Sequence, residues 1–266
     1  MNNLKRIAES ILKTLAVVVG MLISTDTFSQ GTEQQMPASN SKKLLIGVNY
    51  SSDYCYRYLK NNNDSPEVNH YIDFNNEEES PKYGYTTGIV ILYNLNKHIS
   101  FESGIQFSNK GYKNNTGALR RPDEIDPMKG FVPPTPTSIV DSKIVYNHLY
   151  LDLPVRAIFS YGKKRVRFVS SLGVTTNILL KATQKSVFKY QNGNKERKTT
   201  NQPYTYQPIN ISPMISFGAD YQVNNKLNLR VEPSFKYGLF KIIKNKPITA
   251  YLWNAGLNIS CYYQLK

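Results

Sequence analysis

The sequence predicts an all-β protein, namely an eight-stranded antiparallel up-and-down β-barrel that crosses a membrane. Long segments alternate between apolar and polar residues with a period of two, which is typical of strands that have one apolar and one polar face. Short turns and longer loops separate these segments in alternation. After the amino terminus, no run of about 18 apolar residues could form a membrane-spanning helix.

The alternation is clearest between Ile144 and Leu180. Every second residue of the first half is apolar apart from Asn147, and the intervening positions mix charged, polar and aromatic side chains. The turn 161–164 then reverses the chain into a second alternating segment. Each half is longer than the roughly 9–11 residues that a tilted strand needs to span a bilayer. The two halves are therefore predicted to form a transmembrane hairpin.

The same reading places eight strands along the chain. They are predicted at residues 44–54, 83–93, 98–112, 144–161, 165–180, 207–223, 227–239 and 249–265. The tight turns are 94–97, 161–164 and 224–226, and the longer loops are 55–82, 113–143, 182–206 and 240–248. The second loop is rich in proline, which excludes a central strand there, and the third loop is basic. Because outer-membrane barrels have short periplasmic turns and longer extracellular loops, both chain ends are predicted to face the periplasm.

The amino terminus has the pattern of a secretory signal peptide. Basic residues precede the apolar run Leu15–Ile23, and Thr27–Ser29 supplies small residues for cleavage before Gln30. An uncleaved helical anchor is the alternative, but the apolar run is too short to favour it. The chain is therefore predicted to comprise a signal peptide (1–29), a flexible periplasmic lead-in (30–43) and the barrel (44–266).

Aromatic and ionised residues favour a membrane barrel over a soluble lipocalin-like barrel or sandwich, which shows the same alternation with its apolar face inward. Aromatic residues near the strand ends match interface girdles, namely Tyr50, Tyr83, Tyr85, Tyr93, Tyr161, Tyr237, Tyr251, Trp253 and Tyr263. The opposite face carries too many ionised residues for a dry core, Lys236 among them. We therefore predict a lumenal polar network of Glu102, His148, Asp152, Arg156, Arg167, Asp220, Arg230 and Glu232.

The turn 224–226 also predicts the register of the strands beside it. Inward residues must face inward residues across a ladder, which places Asp220 opposite Arg230 and Gly218 opposite Glu232. Opposed side chains have Cβ atoms about 4.5–5.5 Å apart. Asp220 and Arg230 are therefore predicted to pair inside the barrel.

The charge balance points to anionic lipid rather than to nucleic acid. Residues 1–29 hold three basic and two acidic residues, so their removal changes the formal net charge from +14 to +13. An exported chain without a nucleic-acid-binding motif is not expected to bind nucleic acid. Anionic headgroups of outer-membrane lipid and lipopolysaccharide are the predicted counterparts.

The two cysteines, Cys55 and Cys261, do not constitute a disulfide framework. In the predicted layout they lie near opposite ends of their strands, which is too far for a bridge without backbone movement. Two free thiols are expected.

With the strands assigned, the chain resembles the PorT-like outer-membrane β-barrel family over roughly 44–266. The resemblance is carried by the signal that ends before Gln30 and by the segments GIQFSNKGYK (104–113), YLDLPVRAIF (150–159) and SLGVTTNILL (171–180). It implies an eight-stranded barrel, and some members are implicated in type IX protein secretion. The chain departs from many outer-membrane barrels at its end, where Gln264–Lys266 replaces a terminal aromatic residue.

Few residues suggest catalysis. The histidines His70, His98 and His148 show no metal-ligand spacing, and no Gly-rich phosphate loop is present, so no metal or cofactor is predicted. His148 and Asp152, with Ser142 and Ser212 nearby, are the best hint of a hydrolase. Residues four apart on a strand are about 13 Å apart, however, so the histidine and the aspartate cannot touch. The protein is predicted not to be an enzyme.

The leading hypothesis is a non-enzymatic barrel in the outer membrane of a Gram-negative bacterium, with an envelope scaffold role and type IX protein secretion as the candidate process. Its predicted partners are outer-membrane lipid, lipopolysaccharide and other envelope or secretion proteins. One alternative is a surface-binding or adhesion barrel that acts through its extracellular loops. Another is an outer-membrane lipid hydrolase or acyltransferase. A diffusion pore is disfavoured because eight strands enclose no wide channel.

Overall fold

A computed structural model of the chain describes residues 44–62, 65–114, 125–126, 130–131, 139–162, 165–202, 206–243 and 248–265. The predicted signal peptide and lead-in lie outside the described residues, as does most of the second predicted loop. Within the described part of the chain, no helix is long and apolar enough to cross a membrane.

The described elements are strands joined by turns, with one helix. Their bounds are β1 (Leu44–Asn61), α1 (Pro66–Glu78), β2 (Glu79–Asn94), β3 (Ile99–Asn114), β4 (Ile125–Asp126), β5 (Gly130–Phe131), β6 (Ile139–Tyr161), β7 (Val166–Tyr190), β8 (Lys195–Asn201), β9 (Ile209–Gln222), β10 (Leu227–Tyr237) and β11 (Ile248–Gln264). Eight of the strands pair in the order β1-β2-β3-β6-β7-β9-β10-β11, and β11 pairs back onto β1. Every pairing is antiparallel. The predicted eight-stranded up-and-down barrel is confirmed.

The barrel carries its apolar side chains on the outside and its polar side chains on the inside, which is the reverse of a soluble protein. Its outward side chains are apolar, and Val155 and Leu172 are 61% and 59% exposed. Its inward side chains are polar, and Asp152 and Glu232 are each 0% exposed. A bilayer is the solvent that suits an exposed apolar wall, and barrel closure leaves no unpaired strand edge inside it. The ionised inward face that the sequence pattern predicted is therefore present.

Outward aromatic residues gather at both ends of the apolar wall. At the end with the short turns, they include Tyr93, Tyr161, Tyr221 and Tyr263, and at the other end they include Tyr58, Tyr83, Tyr85, Tyr237, Tyr251 and Trp253. Ring contacts reinforce the second group, because Trp253 lies 6.2 Å from Tyr56 and 6.1 Å from Phe235 between ring centroids. Such belts mark the two membrane–water interfaces.

Asparagine side chains stabilise two of the tight turns. The Asn96 side-chain oxygen accepts hydrogen bonds from the backbone N–H groups of His98 and Ile99, both at 2.8 Å. Asn224 does the same for the turn between β9 and β10, with bonds of 2.8 and 2.9 Å. These side chains mimic a backbone turn, which lets four residues reverse the chain. Because short turns lie on the periplasmic side of outer-membrane barrels, the end with the short turns is the one expected to face the periplasm.

The first predicted loop (55–82) is largely regular structure, so that prediction was wrong. β1 continues to Asn61 because its ladder with β11 extends to that residue, well beyond the apolar wall. The helix α1 follows, with Pro66 at a position where its missing N–H is harmless, and Asn75 is its buried residue. The helix stands outside the alternating pattern, so period-two analysis could not find it.

The third predicted loop (182–206) is mostly a hairpin, and that prediction was also wrong. β7 continues to Tyr190, and β8 pairs with it over seven residues. The turn contains Asn192 and Gly193, and Gly193 adopts a φ of +83°, which glycine tolerates without strain. An Asn-Gly pair between extended segments is a hairpin signal. Apolar alternation does not reveal this hairpin, because β8 is exposed throughout and has no apolar face.

Candidate functional site

Arg156 lies at the centre of an ion-pair network inside the barrel. The β3–β6 register places it directly opposite Glu102. Its Nε and Nη2 donate to the two Glu102 carboxylate oxygens at 2.7 and 3.0 Å. Its Nη1 reaches across the lumen to Glu232 on β10 at 2.9 Å. The Arg156 and Glu102 side chains are 3% and 2% exposed, so both charges are removed from bulk water.

Arg230 extends the network to a third carboxylate. Its Nη1 lies 3.9 Å from Glu102, and its Nε lies 3.6 Å from Asp220, which faces it across the β9–β10 ladder as predicted. The Arg230 guanidinium also stacks 4.7 Å from the ring centroid of Tyr262. The Tyr262 hydroxyl in turn donates a hydrogen bond to Glu102. The tyrosine therefore links the two arginines to a shared carboxylate.

Arg167 completes the charge balance near the periplasmic end. It pairs with Asp220 and keeps its side chain 32% exposed, unlike the other members. Ser216 donates to Glu232 at 3.0 Å. Three carboxylates and three guanidinium groups thus form one electroneutral cluster, which is the arrangement that makes burial of charge tolerable. The cluster unites Glu102, Arg156, Arg167, Asp220, Arg230 and Glu232.

Asp152 belongs to a second group, closer to the extracellular end. Lys110 Nζ lies 3.1 Å from its carboxylate, and the Asn177 side-chain amide donates to it at 2.7 Å. Ser212 donates in turn to Asn177. The register explains this group, because Asp152 lies opposite Asn177 on β7. Lys110 was not among the predicted network residues, although it shares the inward parity of Glu102 on β3.

Two further buried charges lie outside the predicted network, namely Lys236, which the alternation places on the inward face, and Asp53, which the prediction omitted. Asp53 accepts hydrogen bonds from Ser51 at 2.6 Å and from Thr86. Lys236 borders a cavity of about 20 Å³ beside Arg156. A cavity of that volume has room for one or two water molecules, because one water molecule needs roughly 10–15 Å³ of accessible cavity volume. The interior at this level is therefore filled by side chains.

His148 lies in an aromatic cluster rather than in the ion-pair network. Its ring stacks between Tyr112 and Tyr150 at centroid distances of 6.4 and 6.5 Å, and Tyr206 meets it edge-on at 5.1 Å. The histidine is 1% exposed, and within the described residues neither ring nitrogen has a hydrogen-bond partner. It therefore does not orient Asp152, as a hydrolase dyad would require.

An ion pair stands above the aromatic cluster, outside the membrane-spanning part of the barrel. Arg57 donates to both carboxylate oxygens of Glu79, with Nε at 2.7 Å from Oε2. The Arg57 guanidinium also stacks 4.0 Å above the Tyr112 ring. Burial raises the pKa of the Glu79 carboxyl, and the bonds from Arg57 oppose that shift. The ion pair thus packs directly against the aromatic cluster.

Metal and redox chemistry have no assembled site in the part of the chain that the structure describes. No group of three or more His, Cys, Asp or Glu side chains there is arranged to hold a metal ion. Cys55 is buried and Cys261 is half-buried, and both are free thiols.

Comparisons with known proteins identify the barrel. The family model described as "Outer membrane protein beta-barrel domain" matches residues 28–244. No curated protein matches the chain. Among solved structures, Neisserial surface protein A is 11% identical with a TM-score of 0.38, covering 84% of this chain and 97% of its own. Ail of Yersinia pestis is 11% identical (TM-score 0.27; 82% and 98% covered). The Escherichia coli outer membrane protease OmpT is 9% identical (TM-score 0.31; 88% and 100% covered).

Proposed function

The chain belongs to the outer membrane protein β-barrel domain family and lies in the outer membrane of a Gram-negative bacterium, and we propose that it acts there as a non-enzymatic scaffold for an envelope process. The observation that carries this proposal is the filled lumen. Charged side chains pair across the barrel, and the cavity beside Arg156 has a volume of only about 20 Å³. A barrel of this kind offers a partner its extracellular surface rather than a pore or a reaction chamber.

Type IX protein secretion is the process that we propose. The support is the resemblance of the segments 104–113, 150–159 and 171–180 to the PorT-like family. The proposed partners are other secretion or envelope proteins, together with outer-membrane lipid and lipopolysaccharide. The helix α1 and the β7–β8 hairpin extend beyond the apolar wall at the extracellular end, where such partners would bind.

A gene deletion in the native host tests the secretion role. We expect the deletion strain to retain in its periplasm the proteins that the wild type releases by this route, as measured by mass spectrometry of both fractions. A wild-type copy should restore release. A copy in which a short turn replaces 183–201 should insert normally but restore release poorly. An unchanged set of secreted proteins in the deletion strain would exclude the role.

Conductance separates a scaffold from a channel. Purified protein in a planar lipid bilayer should show no ion-conducting steps, because the Arg156 network fills the lumen. A matched sample of a wide porin in the same bilayer provides the positive control. A steady conductance of the wild-type protein would contradict the closed barrel on which the proposal depends.

A surface-binding or adhesion role is the second candidate. The observation that favours it is β8, a strand whose seven residues are all exposed on the extracellular hairpin. Loss of host-surface or ligand binding on replacement of 183–201, with secretion unchanged, would support this role instead. A lipid hydrolase or acyltransferase is a weaker candidate because neither ring nitrogen of His148 has a hydrogen-bond partner among the described residues. Altered lipid modification in a His148→Ala strain would be needed to support it.

A further inference from the structure

Exposed cations line the outward face of the extracellular ribbon, which we define as residues 139–149 of β6, 181–190 of β7, and β8. They are Lys143, Lys181, Lys185, Lys189, Lys195 and Arg197. Their common side follows from the register. A bulge at Leu180 shifts the parity of β7, so that Lys181 pairs with the outward Leu149. From that pair as far as Asp141 and Lys189, the odd-numbered residues of β6, β7 and β8 lie on the same side as Leu149, and a second register shift follows between Ile139 and Asp141.

This outward face keeps most of its positive charge. Asp141, opposite Lys189, is its one carboxylate among the described residues. Glu196 lies on the other face of β8, and its carboxylate accepts a hydrogen bond from the Tyr190 hydroxyl at 2.6 Å. None of the six cations takes part in an ion pair in the described part of the chain. Their charge is therefore available to an external anion.

The cationic face continues directly from the lipid-facing wall. Lys181 follows Leu180, whose side chain is 50% exposed, and lies beside Leu149. On the opposite side of the barrel, outward residues near the extracellular ends of β1 and β11 are aromatic, such as the paired Tyr58 and Tyr251. The β6–β7 wall therefore differs from the rest of the girdle. A molecule that contacts apolar wall and cations together must be amphiphilic and anionic.

The spacing of the cations suits several phosphates on one headgroup. Lys181, Lys185 and Lys189 follow one another at about 13 Å along the strand, given about 3.3 Å per residue. Across the β7–β8 ladder, Lys195 lies opposite Lys189 and Arg197 lies opposite Val187, and opposed residues have Cβ atoms about 5 Å apart. The cations therefore spread over a second strand as well as along β7. A single phosphate would engage only one or two of these groups. A phosphorylated sugar headgroup would engage more.

We propose that this face is a binding site for lipopolysaccharide, with the phosphates of its sugar headgroup on the ribbon cations and its acyl chains against the wall below Lys181. The inference rests on the lipid partnership proposed above, but not on the secretion role. Lysine and arginine near a charged membrane surface each strengthen binding by about fivefold, and added salt screens that attraction.

The test uses the full mature protein in detergent micelles and in phosphatidylcholine vesicles with or without lipopolysaccharide. The variant K181Q/K185Q/K189Q/R197Q removes four outward cations. The control variant K60Q/K97Q/K226Q/K241Q removes the same charge from exposed positions outside the ribbon. A third variant, K181R/K185R/K189R, keeps the charge. Heat-modifiable migration on gels checks that each variant is folded. Binding is measured as lipopolysaccharide retained by the purified protein and as the shift in unfolding temperature.

We expect the four-cation variant to lose at least about fiftyfold in lipopolysaccharide affinity, while the control and the arginine variant stay within about threefold. Removal of the headgroup phosphates should abolish the difference between the variants. Equal binding by wild type and the four-cation variant would overturn the proposal. So would dependence on these cations for a soluble sulfated polysaccharide but not for lipopolysaccharide. Because secretion is not a readout, loss of the secretion role would leave this result unchanged.

Discussion

Removal of Arg156 is the sharpest test of the lumenal network. In an Arg156→Met variant, Glu102 loses two charge-assisted hydrogen bonds and Glu232 loses one. Arg230 remains 3.9 Å from Glu102, and the Tyr262 hydroxyl still donates a hydrogen bond to Glu102, so this carboxylate keeps two polar partners. Breaking a buried ion pair costs about 3–5 kcal/mol. We expect a loss at the lower end of that range because Arg230 compensates in part.

The double-mutant cycle with Glu102→Gln isolates the pair. The amide removes the negative charge, so the double variant no longer strands Glu102 as an unpaired carboxylate. We expect the two losses to be non-additive, with a coupling of about 1–3 kcal/mol, as is typical of groups in one hydrogen-bond network. The assay is urea unfolding from lipid vesicles, followed by the fluorescence of Trp253, which is the single tryptophan in the chain.

A control cycle pairs Glu102→Gln with Lys226→Gln. Lys226 is exposed in a periplasmic turn, so its removal should add to the effect of Glu102→Gln within about 0.3–0.5 kcal/mol. If Arg156→Met and Glu102→Gln were equally additive, the 2.7 Å contact would not contribute to stability. The reasoning about the electroneutral cluster would then fail.

Three further predictions concern the same barrel. The double-mutant cycle of Asp220→Asn with Arg230→Gln should show a positive coupling energy that is smaller than that of the Arg156 pair. The reason is that the two groups are 3.6 Å apart and that Asp220 also has a second arginine partner. Additive effects in urea unfolding would exclude the pair. Gly218→Val should destabilise the barrel by about 1–3 kcal/mol, because even a Cβ there would lie 2.0 Å from a backbone oxygen of β10. If the variant and the wild type showed the same heat-modifiable migration on gels, this prediction would be contradicted. In folded protein, a membrane-permeant thiol reagent should label the lipid-facing Cys261 but not Cys55, and mass spectrometry should find both labelled after unfolding.

The sequence pattern predicted the barrel because the bilayer and the lumen impose opposite polarities on alternate residues. Period two therefore reports the wall directly along β6, β7 and β10. The pattern also predicted that Asp220 faces Arg230, since a tight turn fixes the register of the strands that it joins. Above the bilayer, both faces of a strand meet water or protein. The alternation fades there, which is why the extension of β1 and the β7–β8 hairpin escaped prediction.

The division of the interior into clusters could not be read from the pattern. Parity shows that His148 and Arg156 point inward, but it does not tell which side chains on non-adjacent strands meet across the lumen. Arg156 reaches Glu232 over that distance because its side chain is long, and the barrel diameter is set only when all eight strands close. His148 instead meets tyrosines from three segments of the chain. Contacts of that kind depend on closure, not on local sequence.

The lumenal charges also explain how the barrel selects one register. A slip of one residue would turn every polar side chain toward the lipid, so the apolar wall alone forbids it. A slip of two residues keeps all apolar side chains outward, and the lipid does not discriminate between one aliphatic side chain and another. Such a slip between β3 and β6 would move Arg156 by about 7 Å relative to Glu102 and separate the pair. The buried charges of Glu102, Arg156 and Glu232 therefore penalise the registers that the bilayer tolerates. On this account, the network stabilises the native barrel chiefly by destabilising its closest competitors, which is the best-attested role of buried ionic groups.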